Sequence, residues 1–198
     1  MAASTRRGRG RPPGPPVDAT VRRELLLDAA ERAIRSSGPA AGLAEVAQAA
    51  GLTRSAVYAA YDDRDALIKA LAARHNARIV RQMKDIVVGL PDPREQVRAC
   101  IDILAGWFED EPHLAQALSN DMTPSDGSFL VGALTSILTA GFTERGLDPS
   151  PAESWARGLI GAVSATVQWW ARAHPTSRAE LVDHLTSLIW GGFSGAGG

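Results

Sequence analysis

At 198 residues with 45% hydrophobic side chains, the chain is long enough to bury a core and suits one compact domain or two small ones. Its single cysteine, Cys100, excludes an intramolecular disulfide framework and a multi-cysteine metal site, and no apolar run approaches the ~20 residues a membrane span needs. The net charge of -1 conceals an asymmetry: 14 basic and 8 acidic residues run through Arg81, against 7 and 14 after it, so a basic first part suited to a polyanion precedes an acidic remainder.

Residues 1–17, MAASTRRGRGRPPGPPV, hold four arginines and four prolines with no apolar periodicity, which predicts a disordered basic arm. They lack the apolar core of a signal peptide, and a cytoplasmic location is expected. The segment Arg9-Gly10-Arg11-Pro12 resembles the AT-hook, whose arginines enter narrow minor grooves. A solvated tail adding only non-specific phosphate affinity is the equal alternative.

From Ala19 to Ser37 the positions Val21, Leu25, Ala29 and Ala33 recur at helical spacing, with Leu26, Ala30 and Ile34 beside them. Gly38 and Pro39 end this amphipathic helix. The next stretch, AEVAQAAGLTRSAVYAAY from Ala44 to Tyr61, is two short helical patterns either side of Gly51. Glycine can take the left-handed conformation that closes the first helix, and Ala47 and Ala50 are small enough for a second to cross it closely. That is the layout of a helix-turn-helix, with Thr53 suited to N-cap the second helix.

The continuation Val57-Tyr58-Ala59-Ala60-Tyr61-Asp62-Asp63-Arg64-Asp65-Ala66-Leu67 resembles the end of the recognition helix and the following turn in the TetR family of transcriptional regulators. There a Tyr, two variable residues, an aromatic, a polar turn, a basic and an acidic residue precede Ala-Leu. The resemblance is close over residues 20 to 88 and looser beyond. It implies a DNA-binding unit over 18–64 and a helical regulatory and dimerisation unit over 65–198. Two departures stand out: Gly42 lies where the family often has a phosphate-contacting threonine, and Ala59 and Ala60 lie where it often has histidine or another polar residue.

The DNA contacts so implied are Arg22 and Arg23 on the first helix, Thr53, Arg54, Ser55 and Tyr58 on the second helix of the motif, and Tyr61 and Arg64 after it, joined by Arg9 and Arg11 of the arm. Tyr61 is at least half a packing residue.

Residues 64 to 88 predict one long helix with Leu67, Leu71, His75, Ile79, Met83 and Ile86 on a stripe. His75 there is a hydrogen-bonded core residue rather than a ligand. After the break Gly89-Leu90-Pro91-Asp92-Pro93, further helices are expected over 94–109, 112–120, 125–145, 152–173 and 177–190, giving an all-α fold. Cys100 reads as a small buried apolar residue. The last two helices are apolar on more than one side, and family resemblance implies a four-helix interface of a homodimer. Trp155, Leu159, Ala162, Val163, Thr166, Leu181, Leu185 and Leu188 would line it, against the alternative of a monomeric core.

No glycine-rich phosphate loop, nucleophile elbow or His pair at i, i+4 is present, and the four histidines fall on separate helices, so neither catalysis nor a metal or cofactor is expected. The resemblance also implies a mostly apolar effector pocket, for which Trp107, Phe108, His113, Met122, Phe129 and Trp169 are candidates, with Leu114 and Leu134 beside them. The function expected is a ligand-responsive repressor of a palindromic DNA operator. Its rival is a helical small-molecule-binding protein whose degenerate helix-turn-helix keeps only non-specific DNA affinity.

Overall fold

The computed structural model describes residues 19–119 and 129–191, and every element among them is an α-helix, as the sequence predicts. Helix α1 spans Ala19–Ser37, α2 Leu43–Ala50, α3 Arg54–Tyr58, α4 Arg64–Gly89, α5 Pro93–Asp110, α6 Pro112–Leu118, α7 Phe129–Glu144, α8 Ala152–Ala173 and α9 Arg178–Gly191.

The first three helices pack through small side chains. Ala29, Ala30 and Ala33 of α1 are buried with Leu26, Leu27 and Ile34, and face Val46 and Ala47 of α2 in one core. Alanines at the crossing let the two backbones approach. Helix α2 closes on Gly51, whose φ of 65° and ψ of 29° are left-handed. The Gly51 N–H donates to the Gln48 carbonyl at 3.1 Å and the Leu52 N–H to the Ala47 carbonyl at 2.9 Å, the two bonds of a Schellman closure. Any side chain at position 51 would be strained. Thr53 Oγ1 then accepts from the Ala56 N–H at 3.3 Å, capping α3 as the sequence predicts, and Val57 anchors α3 at zero exposure.

Asp63 starts α4, its carboxylate accepting from the Ala66 N–H at 2.7 Å. This helix has 26 residues, so at about 1.5 Å per residue it is ~39 Å long. It touches α1 and also α5, α6 and α7, and so spans both parts of the chain. Leu67, Leu71, His75 and Ile79 of the predicted stripe are buried, while Met83 and Ile86 are half-buried.

Beyond α4, α5 packs against α8 and α9, and α7 against α8. Trp170 is buried and its indole N–H donates to the Thr176 carbonyl at 2.8 Å, fixing the turn between α8 and α9. Ser177, expected inside the last helix, stands before it and exchanges hydrogen bonds with Glu180 as a capping box. The helix expected from Ser125 is described from Phe129 onward; residues 120–128 lie outside the described residues.

Burial corrects part of the proposed α8–α9 surface. Leu181 and Leu185 are 3% and 4% exposed and join the chain's own core with Val182, because α9 turns that face to α5. Leu188 is exposed. On α8, Val163 is half-buried against the core and Leu159 and Thr166 are half-buried. Trp155, Gly158, Ala162, Ala165 and Trp169 form an exposed stripe at alternating spacings of three and four, with the two indoles 54% and 52% exposed.

Candidate nucleic-acid interface

One end of the molecule gathers α2, α3 and the start of α1. The Schellman closure and the Thr53 cap leave only three residues between α2 and α3, and Val57 pins α3 by its inner face. The outer face is thereby fixed: Thr53, Arg54 and Ser55 are exposed in the first turn, and Tyr58 is 55% exposed one turn later. Thr53 Oγ1 and Ser55 Oγ lie 3.0 Å apart, so the capping hydroxyl and the surface hydroxyl share a hydrogen bond. A guanidinium and three hydroxyls on an exposed helix start are groups suited to phosphate oxygens and base edges.

A surface cleft of about 340 Å³ lies beside this helix, lined by Gly42, Leu43, Ala44, Glu45, Arg54, Tyr58, Asp63 and Arg64. At its floor the Gly42 N–H donates to Glu45 Oε2 at 3.0 Å. Hydrogen bonds from the Glu45 and Gly42 backbone amides, with the Arg54 charge nearby, hold the Glu45 carboxyl below its ordinary range. A second cleft of about 230 Å³ is bounded by Ala19, Thr20, Arg22, Arg23, Ala59 and Ala60. The alanines at 59 and 60 thus leave open space next to two α1 arginines. Arg22 and Arg23 stand on the same side of the molecule as Ala59 and Ala60 at the end of α3.

Two of the expected contacts are placed elsewhere. Tyr61 is 7% exposed and belongs to the core, with the Arg23 guanidinium 6.0 Å above its ring. Arg64 is half-buried and donates from Nε to the Ala41 carbonyl at 3.0 Å and from Nη2 to the Pro39 carbonyl at 2.6 Å. It braces the α1–α2 loop rather than reaching outward. Arg9 and Arg11 lie outside the described residues.

Among the described residues, the effector candidates do not converge on one place. Phe108 is buried, and Trp107 is half-buried with its indole N–H enclosed and without a partner among the described residues. Asn76 Oδ1 on α4 is likewise enclosed and unpartnered. His113 faces α1, its Nδ1 lying 3.2 Å from the Arg35 carbonyl, and Trp169 belongs to the exposed α8 stripe. Met122 lies outside the described residues, and of Phe129 only its place at the start of α7 is described.

Sequence reasoning passed over a charge cluster on α1, where Glu31 meets Arg74 and His75 of α4. His75 is buried and its Nε2 lies 3.1 Å from Glu31 Oε1, in keeping with a hydrogen-bonded core role. The His75 hydrogen bond, followed by the Arg74 pairing and against the effect of burial, lowers the Glu31 carboxyl to about 2. A spacing signal existed: Glu24, Asp28 and Glu31 form an acidic row on α1, and all three reach Arg74. Cys100 is half-buried, and burial pushes its thiol up to about 11.

Among the described residues, no group of three or more His, Cys, Asp or Glu side chains could hold a metal, and no helix is long and apolar enough to cross a membrane.

Comparison with known proteins bears on these two halves separately. Residues 26–71 match the family model of bacterial regulatory proteins of the tetR family, and residues 130–197 match that of the tetracyclin repressor-like C-terminal domain. An uncharacterised HTH-type transcriptional regulator of Mycobacterium tuberculosis is 26% identical over 172 residues, covering 84% of each chain. Among solved structures, FadR of Thermus thermophilus, a TetR-family repressor in complex with lauroyl-CoA, superposes with a TM-score of 0.69 at 20% identity, covering 86% of this chain and 94% of that one. FadR of Bacillus subtilis in complex with stearoyl-CoA gives 0.65 at 18% identity, with 86% and 98% covered. The likeness extends the fold agreement across the regulatory helices. With both halves matched in order over more than half its length, and with its exposed helix-turn-helix, the chain belongs to the TetR family of DNA-binding transcriptional regulators.

Proposed function

We propose that the chain is a homodimeric, cytoplasmic repressor that holds a palindromic operator and releases it when an amphipathic acyl effector binds its regulatory helices. In this reading residues 1–17 are a basic arm, 18–64 the DNA-binding unit and 65–198 the regulatory and dimerisation unit. The observation that carries it is the exposed start of α3, where Arg54, Ser55 and Tyr58 stand over a buried Val57. Arg22 and Arg23 flank it and extend the contact to the phosphate backbone. The alternative, a degenerate motif with only non-specific affinity, is not favoured by matches that include the tetR-family DNA-binding model itself.

Dimerisation is supported by the stripe Trp155, Gly158, Ala162, Ala165 and Trp169, a largely apolar surface that stays exposed among the described residues. A two-fold dimer presents two recognition helices to half-sites about one turn, ~34 to 36 Å, apart. The acyl class is supported by the two neighbours of the same fold whose complexes hold lauroyl-CoA and stearoyl-CoA, and by the enclosed polar atoms of Asn76 and Trp107 beside an apolar core. Ligand and operator then compete by shifting one population.

The test is selection of genomic fragments by the purified protein at near-physiological salt, followed by titration of the selected duplex with lauroyl-CoA. A recurrent palindrome released by the ligand supports the whole reading. Uniform salt-sensitive binding with no motif overturns sequence-specific regulation, and a palindrome indifferent to acyl-CoA overturns the effector class. A reporter downstream of the palindrome decides the sign: expression should rise when the gene is deleted.

A further inference from the structure

The helix-turn-helix is tied to the regulatory helices by a charge relay on α1. Glu31, 18% exposed at its side chain, uses both carboxylate oxygens. Oε1 pairs with Arg74 and accepts from His75 Nε2 at 3.1 Å, both from α4, while Oε2 pairs with Arg35 Nη2 at 3.2 Å one turn along α1. Arg35 at the same time grips Glu111 with Nε at 2.9 and 3.1 Å and Nη2 at 2.8 Å. Glu111 is the residue between α5 and α6, and His113 in the first turn of α6 reaches the Arg35 carbonyl at 3.2 Å. On the regulatory side the His75 ring lies 5.8 Å from the Trp107 ring of α5.

The path Trp107, His75, Glu31, Arg35, Glu111 thus runs from α5 through α4 and α1 to α6. A half-enclosed carboxylate with several donors resists losing one of them, because an ionised oxygen left without a partner is costly. A bidentate guanidinium–carboxylate pair holds orientation as well as distance. Displacing α6 or rotating α4 therefore pulls on α1, and α1 carries Arg22, Arg23 and the close α2 contact.

We propose that Glu31 is a positioning residue for DNA binding, the carboxylate that registers α4 and α6 against the helix supporting the recognition motif, so that DNA occupancy and the arrangement of α5–α6 are linked. Linkage is reciprocal, so operator binding must alter the α5–α6 junction by the same free energy with which that junction alters operator binding. The proposal rests on the chain binding DNA through α3.

The test is hydrogen–deuterium exchange on the full chain, with and without a duplex recovered by the genomic selection. In the wild type, DNA should change protection over residues 104–118 as well as over α1–α3. Glu31→Gln should bind the same duplex and lose more than half of that distal change. A merely structural role would instead lower protection equally with and without DNA. Glu111→Gln, at the outer end of the relay, should keep the DNA-induced change in α4 and lose it over residues 111–118, and it decides the matter if the Glu31 variant does not fold. A wild-type response confined to α1–α3, or wild-type distal responses in the variants that fold, overturns the proposal. A wild type that binds no duplex fails the DNA-binding reading, and this one with it.

Discussion

Adjacent residues of α3 should separate recognition from folding. Val57 has zero exposure and Tyr58 is 55% exposed, with only one peptide bond between them. Val57→Ala removes two buried carbon groups worth about 0.8 kcal/mol each in transfer, and the cavity left behind raises the cost to roughly 2 to 3 kcal/mol. For a chain of this size that is a fall in melting temperature of roughly 4 to 12 °C. Tyr58→Ala takes away a half-exposed ring whose loss should change stability by no more than about 0.5 kcal/mol. It also removes a hydroxyl proposed to donate to phosphate, an interaction with a charged group worth about 1.5 to 3 kcal/mol, or a roughly 10- to 150-fold loss of affinity. Thermal melting and fluorescence anisotropy with the selected duplex, at one fixed salt concentration, read the two effects apart. A Tyr58→Ala protein that melts as early as Val57→Ala, or binds DNA as tightly as the wild type, would refute the assignment of these two faces.

The exposed α8 stripe predicts that Ala162→Glu gives folded monomers in sedimentation, whereas Leu185→Glu, which puts a charge in the chain's own core, gives a misfolded protein; a folded Leu185→Glu dimer would contradict the burial of α9. Glu31 titrates near 2 in the folded protein against an ordinary 4.5, so its stabilisation is present above about pH 4.5 and is lost as the pH falls toward 2. The full shift corresponds to about 3 kcal/mol before solvent screening reduces it, and the stability gap between wild type and Glu31→Gln should narrow across that acid window in urea melts. The Cys100 thiol, pushed up to about 11 by burial, should react slowly with iodoacetamide at pH 8 and quickly once the protein is unfolded; equal rates would place it on the surface.

The helix-turn-helix was legible because its signals are local. Gly51 and Thr53 each act within a few residues, closing or capping a helix whatever lies around it. The same is true of the prolines that divide α4, α5 and α6. Longer-range facts were not legible in this way. Periodicity puts Leu181, Leu185 and Leu188 on one stripe, but only the packing of α9 on α5 decides that the first two are core and the third is surface. Trp169 and Trp170 are neighbours in sequence and point about 100° apart on a helix, so the rotation of α8 alone sends one out and the other in. Tyr61 and Arg64 match the family pattern, yet their partners are a distant core and the carbonyls of Pro39 and Ala41. The Glu31 relay was passed over because two of its partners, Arg74 and His75, lie more than 40 residues away in sequence.

Trp155 and Trp169 sit seven residues either side of Ala162, so about 21 Å of α8 carries an indole at each end and an alanine midway. In the proposed dimer, a two-fold axis through that midpoint would carry each indole toward the opposite end of the other helix and Ala162 onto its own copy. Position 162 is then the place where a side chain meets its own copy, and any charge there is answered by the same charge. Glu and Lys introduced separately at 162 should each repel themselves, yet mixed together they should pair. Midpoint symmetry would make one residue into an obligate-heterodimer switch, letting a regulator with two different recognition helices be assembled from two versions of one chain.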